Sequence, residues 1–119
     1  ISYFVAKYEG KIIGTIARSK IPSNIFLQKN LSIDFKSAPE VASVYVLPDF
    51  QREGVGSFLF QAMVSKLKKE GFLEFCLDSG YPLAQKFWKK KLGLPEIILK
   101  DYWSLGCDHM FWKYSLKEA

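Results

Sequence analysis

VYVLPDFQREGVGSFL, residues 44–59, changes its character half-way along. Val44, Tyr45, Val46 and Leu47 are strand formers, Pro48 and Asp49 stop the strand, and Gly54 and Gly56 flank Val55 where an apolar pattern of helical period begins. Strand, turn, glycine loop and helix in that order bring the amino end of a helix to the end of a strand. The first N–H groups of a helix have no internal acceptor and the macrodipole adds partial positive charge, so backbone alone can bind a phosphate or diphosphate there. A Cβ at Gly54 or Gly56 would hold such a ligand away from the main chain, or forbid the φ values that turn successive N–H groups inward. A loop whose glycines only relieve crowding is the competing reading. A dinucleotide fold is disfavoured, because GVGSFL has no third glycine at the required spacing.

The order of strand, Val46-x-Pro48, Phe50 and then Gln51-x-x-Gly54-x-Gly56 before an amphipathic helix resembles the diphosphate loop of the GNAT N-acetyltransferase superfamily, whose pattern is Q/R-x-x-G-x-G/A. The resemblance implies an α/β chain with the GNAT (acyl-CoA N-acyltransferase) fold: a mixed, mostly antiparallel sheet flanked by helices. It implies acetyl-CoA as cosubstrate and no metal. Gln51, Arg52, Glu53, Gly54, Val55, Gly56 and Ser57 would hold the diphosphate, and backbone groups of Val44, Tyr45 and Val46 would pair with the pantetheine arm where the central strand splays from its neighbour.

The chain has 119 residues, enough for one well-filled core, and the reading is of a single domain over residues 1–119. Hydrophobic residues make up 49% and aromatics 16%, which excludes a disordered chain. Seventeen Lys and Arg against 12 Asp and Glu leave a formal charge of +5, which attracts anions; CoA and nucleic acid both qualify, and so does plain solubility. A nucleic-acid binder would gather lysines and aromatics on one surface, whereas these aromatics mostly alternate into core positions, so no nucleic-acid partner is expected. No apolar run approaches the roughly 20 residues of a membrane span, no cationic leader is visible, and the two cysteines suit a reducing compartment; no membrane partner and a cytoplasmic location are the expectation.

Residues 1–18 read as two strands turning at Glu9 and Gly10, with Phe4, Ala6 and Tyr8 on one face and Tyr3 and Val5 on the other. In the family this hairpin follows one more strand and one or two helices, so an N-terminal piece is expected to be absent from this chain. Residues 19–40 are broken by Pro22, Asn24, Asn30 and Pro39 yet too apolar for a free linker, and a packed excursion bordering the acceptor is expected. Residues 40–47 form the central strand; strict alternation puts Glu40, Ala42, Val44 and Val46 on one face and Val41, Ser43, Tyr45 and Leu47 on the other. A helix follows from Val55 to Glu70 with Val55, Phe58, Leu59, Ala62, Met63 and Leu67 as its apolar stripe and Gly71 beyond its end. Residues 72–79 read as a buried strand parallel to the central one, and Pro82 opens a second helix that Gly93 ends. Strands at 96–103 and 109–116, around a turn at 104–108, would complete a seven-strand sheet if the missing first strand is counted.

The second helix resembles the family's N-x-x-A-x-x-F-Y-x-K-x-G motif through Ala84, Phe87 and Gly93, with two departures. Tyr81 stands for the asparagine that helps hold the cofactor, and Trp88 for the tyrosine that lies near the sulfur and acts as the acid. Both are carried over as cofactor-binding positions. An indole N–H does not ionise usefully near neutral pH, so Trp88 cannot protonate the leaving thiolate. Tyr102, Tyr45 and Tyr81 are the available phenols, and Tyr102 ranks first. For the base, Glu40 ranks first, ahead of Glu74, Asp78 and His109. No nucleophile triad and no zinc-like spacing stands out.

The function expected is transfer of an acetyl group from acetyl-CoA to a primary amine by direct attack in a ternary complex, with catalysis mostly through positioning and backbone polarisation near Val46. The alternative is a CoA-binding or interaction domain of the same fold without transfer activity, motivated by Tyr81 and Trp88. The acceptor amine is open. Exposed aromatics near the C-terminus would fit a homodimer.

Overall fold

The computed structural model describes residues 2–19 and 38–118. Most of the excursion expected over 19–40 therefore lies outside the described residues. Strands β1 (Ser2–Tyr8) and β2 (Lys11–Ser19) form the expected hairpin, its two turn residues Glu9 and Gly10 both at positive φ, 50° and 80°. Then come β3 (Glu40–Val46), a 3-10 turn (Pro48–Phe50), α1 (Val55–Lys69), β4 (Glu74–Ser79), α2 (Pro82–Leu92), β5 (Ile97–Ser104) and β6 (Cys107–Ser115). The strands make one six-stranded sheet in the order β1-β2-β3-β4-β6-β5. Only β3 and β4, joined by the α1 crossover, run parallel. The mixed, mostly antiparallel sheet flanked by helices is thus present, with six strands among the described residues.

Both helices lie on one face. Leu59, Phe60, Met63, Val64 and Leu67 of α1 and Trp88 of α2 pack with Ile16, Val41, Phe75, Leu77, Met110 and Trp112. Phe75 and Leu77 alternate with Cys76, which belongs to a separate small cluster with Ala38 and Phe111 on the opposite face. Each helix stops where the sequence provides a stop: the chain passes Glu70 into Gly71 at φ 89°, and Gly93 caps α2 at φ 85°. Arg18 of β2 holds the carboxyl end of α1 through an ion pair to Glu70 at 2.6 Å, its guanidinium over the Phe72 ring.

Three local expectations are corrected. Strict alternation along β3 fails because Thr15 faces Tyr45 while Ala17 faces Ala42, three steps on β3 against two on β2. That bulge switches the parity, so Val41 and Val44 both reach the helix-side core. On α1, Phe58 is 71% exposed, and Phe60 and Val64 take the buried places, because the stripe facing the sheet is rotated by part of a turn from the one read off the sequence. A second bulge, with Ala6 opposite Gly14 and Lys7 opposite Ile12, puts its extra residue on β2, and the ring of Tyr8 lies tilted against that of Phe50 at 5.7 Å. Finally, β6 begins at Cys107 and the turn shortens to Leu105 and Gly106.

Candidate active site

Gln51 to Ser57 form the bend between β3 and α1. Gly54 has φ 86° and Arg52 has φ 66°. A left-handed Gly54 followed by right-handed Val55 is the backbone pair that turns consecutive N–H groups to one point. The first closed bond of α1 runs from Phe58 N–H to Gly54 O at 2.9 Å, so the amides of Val55, Gly56 and Ser57 have no intrahelical acceptor. No side chain caps this end, no acidic residue sits in the first turn, and among the described residues these three amides meet no other carbonyl. The protein's own packing does not demand glycine at 56: a Cβ there would lie 3.7 Å from Phe87 and 3.9 Å from Val46, ordinary contact distances. At Gly54 there is open space but a left-handed backbone.

Beside this bend the sheet parts. β3 and β4 are in register only at Glu40 and Cys76. Leu47 N–H donates to Ile13 O of β2 at 2.9 Å, so the N–H of Val46, one residue back, points the other way, toward β4. The carbonyl of Val46 is taken by the Gln51 side-chain amide at 3.0 Å. Gln51 thus braces the bend against the strand end through one N–H of its side-chain amide. Gly14 of β2 brings the helix close: a Cβ there would lie 3.0 Å from Val55, 3.1 Å from Leu59 and 3.2 Å from Tyr45 O.

The remaining residues singled out from sequence scatter. Val44 is half-buried against the helix-side core, while Tyr45 is 72% exposed on the other side of the strand. Arg52 and Glu53 are exposed on the bend. Tyr81, the residue preceding α2, is 78% exposed. Trp88 differs most from expectation. It is only 4% exposed, packed edge-on to Phe60 at 5.4 Å and to Phe87 at 4.9 Å, so its ring is part of the helix-side core. Glu40 is buried at the closed end, where the two strands still pair.

Tyr102 belongs to a cluster that the sequence did not reveal as a unit. The Trp103 indole N–H donates to His109 Nδ1 at 3.1 Å, His109 Nε2 lies 2.8 Å from Asp78 Oδ2, and the Tyr102 ring is 5.7 Å from the imidazole. These groups come from β5, β6 and β4. Trp103 reaches inward because β5 loses register between Leu99 and Ser104, where Asp101 has φ 54° and is held by Asp108 Oδ1 on its N–H. Gln85 of α2 donates to Ser79 O at 2.9 Å and Asp108 O at 3.0 Å, fastening the same corner.

Cys76, on the face away from the helices, has its thiol pushed well above the usual range, first by burial and then by the charges of Glu40 and Asp78. It is an inert core thiol. Both cysteines are free. Among the described residues no group of three or more His, Cys, Asp or Glu side chains is arranged to hold a metal, and no helix is long and apolar enough to cross a membrane.

The sequence profile of the Acetyltransferase (GNAT) family matches residues 2–94. The chain belongs to this family of acetyltransferases. Its structural likenesses agree. A putative GNAT-family acetyltransferase from Desulfovibrio desulfuricans superposes with TM-score 0.75 at 16% identity, over 96% of this chain and 68% of that one. The ribosomal-protein-S18-alanine N-acetyltransferase of Escherichia coli does so with TM-score 0.70 at 18% identity, over 97% and 68%. A GNAT-family acetyltransferase from Elizabethkingia anophelis, solved with acetyl-CoA bound, gives TM-score 0.67 at 20% identity, over 95% and 74%. No curated protein matches. The bend at 51–57 lies within the matched residues, and the parted strands β3 and β4 lie beside it.

Proposed function

We propose that this chain transfers an acetyl group from acetyl-CoA to a primary amine, by direct attack of the amine on the thioester while both are bound. The observation that carries the reading is the bare amino end of α1: three consecutive amides that meet no acceptor and no side-chain cap among the described residues, next to the place where β3 and β4 part. The diphosphate lies on the amides of Gly54 to Ser57, with Arg52 and Glu53 flanking it on the exposed bend. The pantetheine arm runs into the opening along Val44, Tyr45 and Val46. There the outward-pointing N–H of Val46 polarises the thioester carbonyl as it becomes an oxyanion. Positioning supplies most of the acceleration.

The leaving thiolate needs little help, since a thiol ionises near pH 8.5 (, about 8.5), and Tyr102 is the phenol best placed to assist. Tyr45 and Tyr81 are far more exposed, whereas Tyr102 is half-buried in the cluster at the open end of β4. The second reading, a CoA-binding domain without transfer, draws on Trp88: the ring standing for the family's tyrosine is locked in the core.

The two are separated by one assay. Free thiol released from acetyl-CoA is followed with spermidine, L-lysine and an alanine-terminated peptide as acceptors. Amine-dependent release supports transfer; binding of CoA without release supports the second reading; failure to bind CoA removes both.

A further inference from the structure

We propose that Asp78 receives the proton of the acceptor ammonium, and that His109 and Trp103 are positioning residues that fix its carboxylate for this. The proposal rests on the acetyl-transfer reading above. Asp78 stands two residues beyond Cys76, the last point at which β4 pairs with β3, so it lies at the level where the sheet opens. It shares the face of Cys76, the face away from both helices. Cofactor and acceptor must reach the thioester carbon from different directions. With the bend and α1 on the helix side, the opposite face is the one left for the amine.

The hydrogen bonds decide which group can take a proton. An indole N–H only donates, so His109 Nδ1 is the acceptor of Trp103 and carries no hydrogen; the ring's single hydrogen is on Nε2 and points to Asp78 Oδ2. Both nitrogens of His109 are committed and the ring is 4% exposed, so it is not the base. Asp78 keeps its second oxygen, Oδ1, without a partner among the described residues. Of the other carboxylates on this face, Glu40 is buried one step back at the closed end, and Glu74, four residues back along β4, is paired with Lys113 Nζ at 3.3 Å. The arrangement tolerates no slack: a Cβ at Gly80 would fall 2.6 Å from Trp103 Nε1 and 3.0 Å from His109 Nδ1, so the strand-to-helix crossing lies directly on the bond that orients the imidazole. Among the described residues the titratable groups around Asp78 are Glu40 from β3, Cys76 and Glu74 on its own strand, His109 and Lys113 from β6 and, beyond the imidazole, Tyr102 from β5.

In the step proposed, Asp78 takes one proton from R–NH3+, directly or through one water, and becomes a carboxylic acid. The freed lone pair forms the C–N bond, and the C–S bond breaks with its electrons leaving on the CoA thiolate. Tyr102 protonates that thiolate and recovers its proton from the second one lost by the nitrogen, and Asp78 returns its own to solvent. A half-buried carboxylate that must meet an ammonium selects an acceptor that is cationic in solution, an alkyl primary amine rather than an arylamine.

Asp78→Asn tests the assignment, with spermidine, L-lysine and an alanine-terminated peptide as acceptors and the heat stabilisation by CoA as the check on cofactor binding. The expected result is a fall in kcat on the order of 100-fold or more (, on the order of 100-fold) with unchanged CoA affinity, the deficit shrinking as pH rises through the acceptor amine's own titration. His109→Phe should show most of that loss, and His109→Gln, whose amide can accept from Trp103 and donate to Asp78, a smaller one. Equal kcat in Asp78→Asn and wild type overturns the proposal, as does a deficit that stays constant with pH. No turnover of any of the three amines by wild type, or failure of CoA to bind it, instead removes the acetyl-transfer reading itself and the proposal with it.

Discussion

Gly54 and Gly56 look alike in sequence and differ in cause. Gly54 is required by its own backbone at φ 86°, so Gly54→Ala should lower unfolding free energy by about 1 kcal/mol in denaturant titration. Gly56 has room for a methyl, so Gly56→Ala should leave stability within about 0.5 kcal/mol, while Gly56→Glu should abolish CoA binding in titration calorimetry through bulk and charge where diphosphate lies. Trp88 illustrates the limit of motif matching: alignment with a family tyrosine placed it at the cofactor, and only packing against Phe60 and Phe87 places it in the core. Trp88→Ala should cost about 3–5 kcal/mol, read as a drop in Tm whether or not CoA is present. Cys76 gives a pH effect of defined sign. Its folded thiol is raised, so its contribution to stability is present in full below the ordinary thiol value of about 8.5 and is lost as pH climbs beyond it, because the unfolded thiol ionises first. Denaturation midpoints for wild type should fall above that pH more steeply than for Cys76→Ala.

At the scale of elements, the decisive contact is between β2 and the first turn of α1. Gly14 admits Val55 and Leu59 so closely that a methyl would press on both and on Tyr45 O. Gly14→Ala should therefore displace the amino end of α1, weakening CoA binding at least several-fold in titration and costing about 1–3 kcal/mol in stability. A merely destabilising change elsewhere in β2 would lower Tm without touching affinity. Helix bounds, the Glu9 and Gly10 turn, and the parallel pairing of β3 with β4 were all readable, because capping glycines, a proline at the first helical position and a helical crossover act through local backbone geometry. Bulges were not readable. Whether Val41 or Ala42 faces the core depends on the register with β2, and register is settled by a partner strand remote in sequence.

For the whole molecule, both helices lie on one face of a six-stranded sheet whose two parallel strands are in register only at Glu40 and Cys76, and the proposed cofactor site is where they part. Binding confined to the folded state stabilises it, so CoA at 100 times its Kd should raise unfolding free energy by about 2.7 kcal/mol, seen as a rise in Tm that Gly56→Glu abolishes. No rise for wild type would remove the diphosphate site and the assignments that depend on it.

By itself the sequence determined the local matters: the strand that stops at Pro48, the glycine bend, the helix whose first amides lack acceptors, and through them the family. Those features depend on φ, on missing Cβ atoms and on hydrogen-bond arithmetic within a few residues. Tertiary structure alone decided which side chains meet. Trp103, His109 and Asp78 come from three strands, and their contact depends on a loss of register in β5 and on a glycine from the β4–α2 crossing. No local rule couples residues 78, 80, 103 and 109, so the cluster exists only once the sheet has closed.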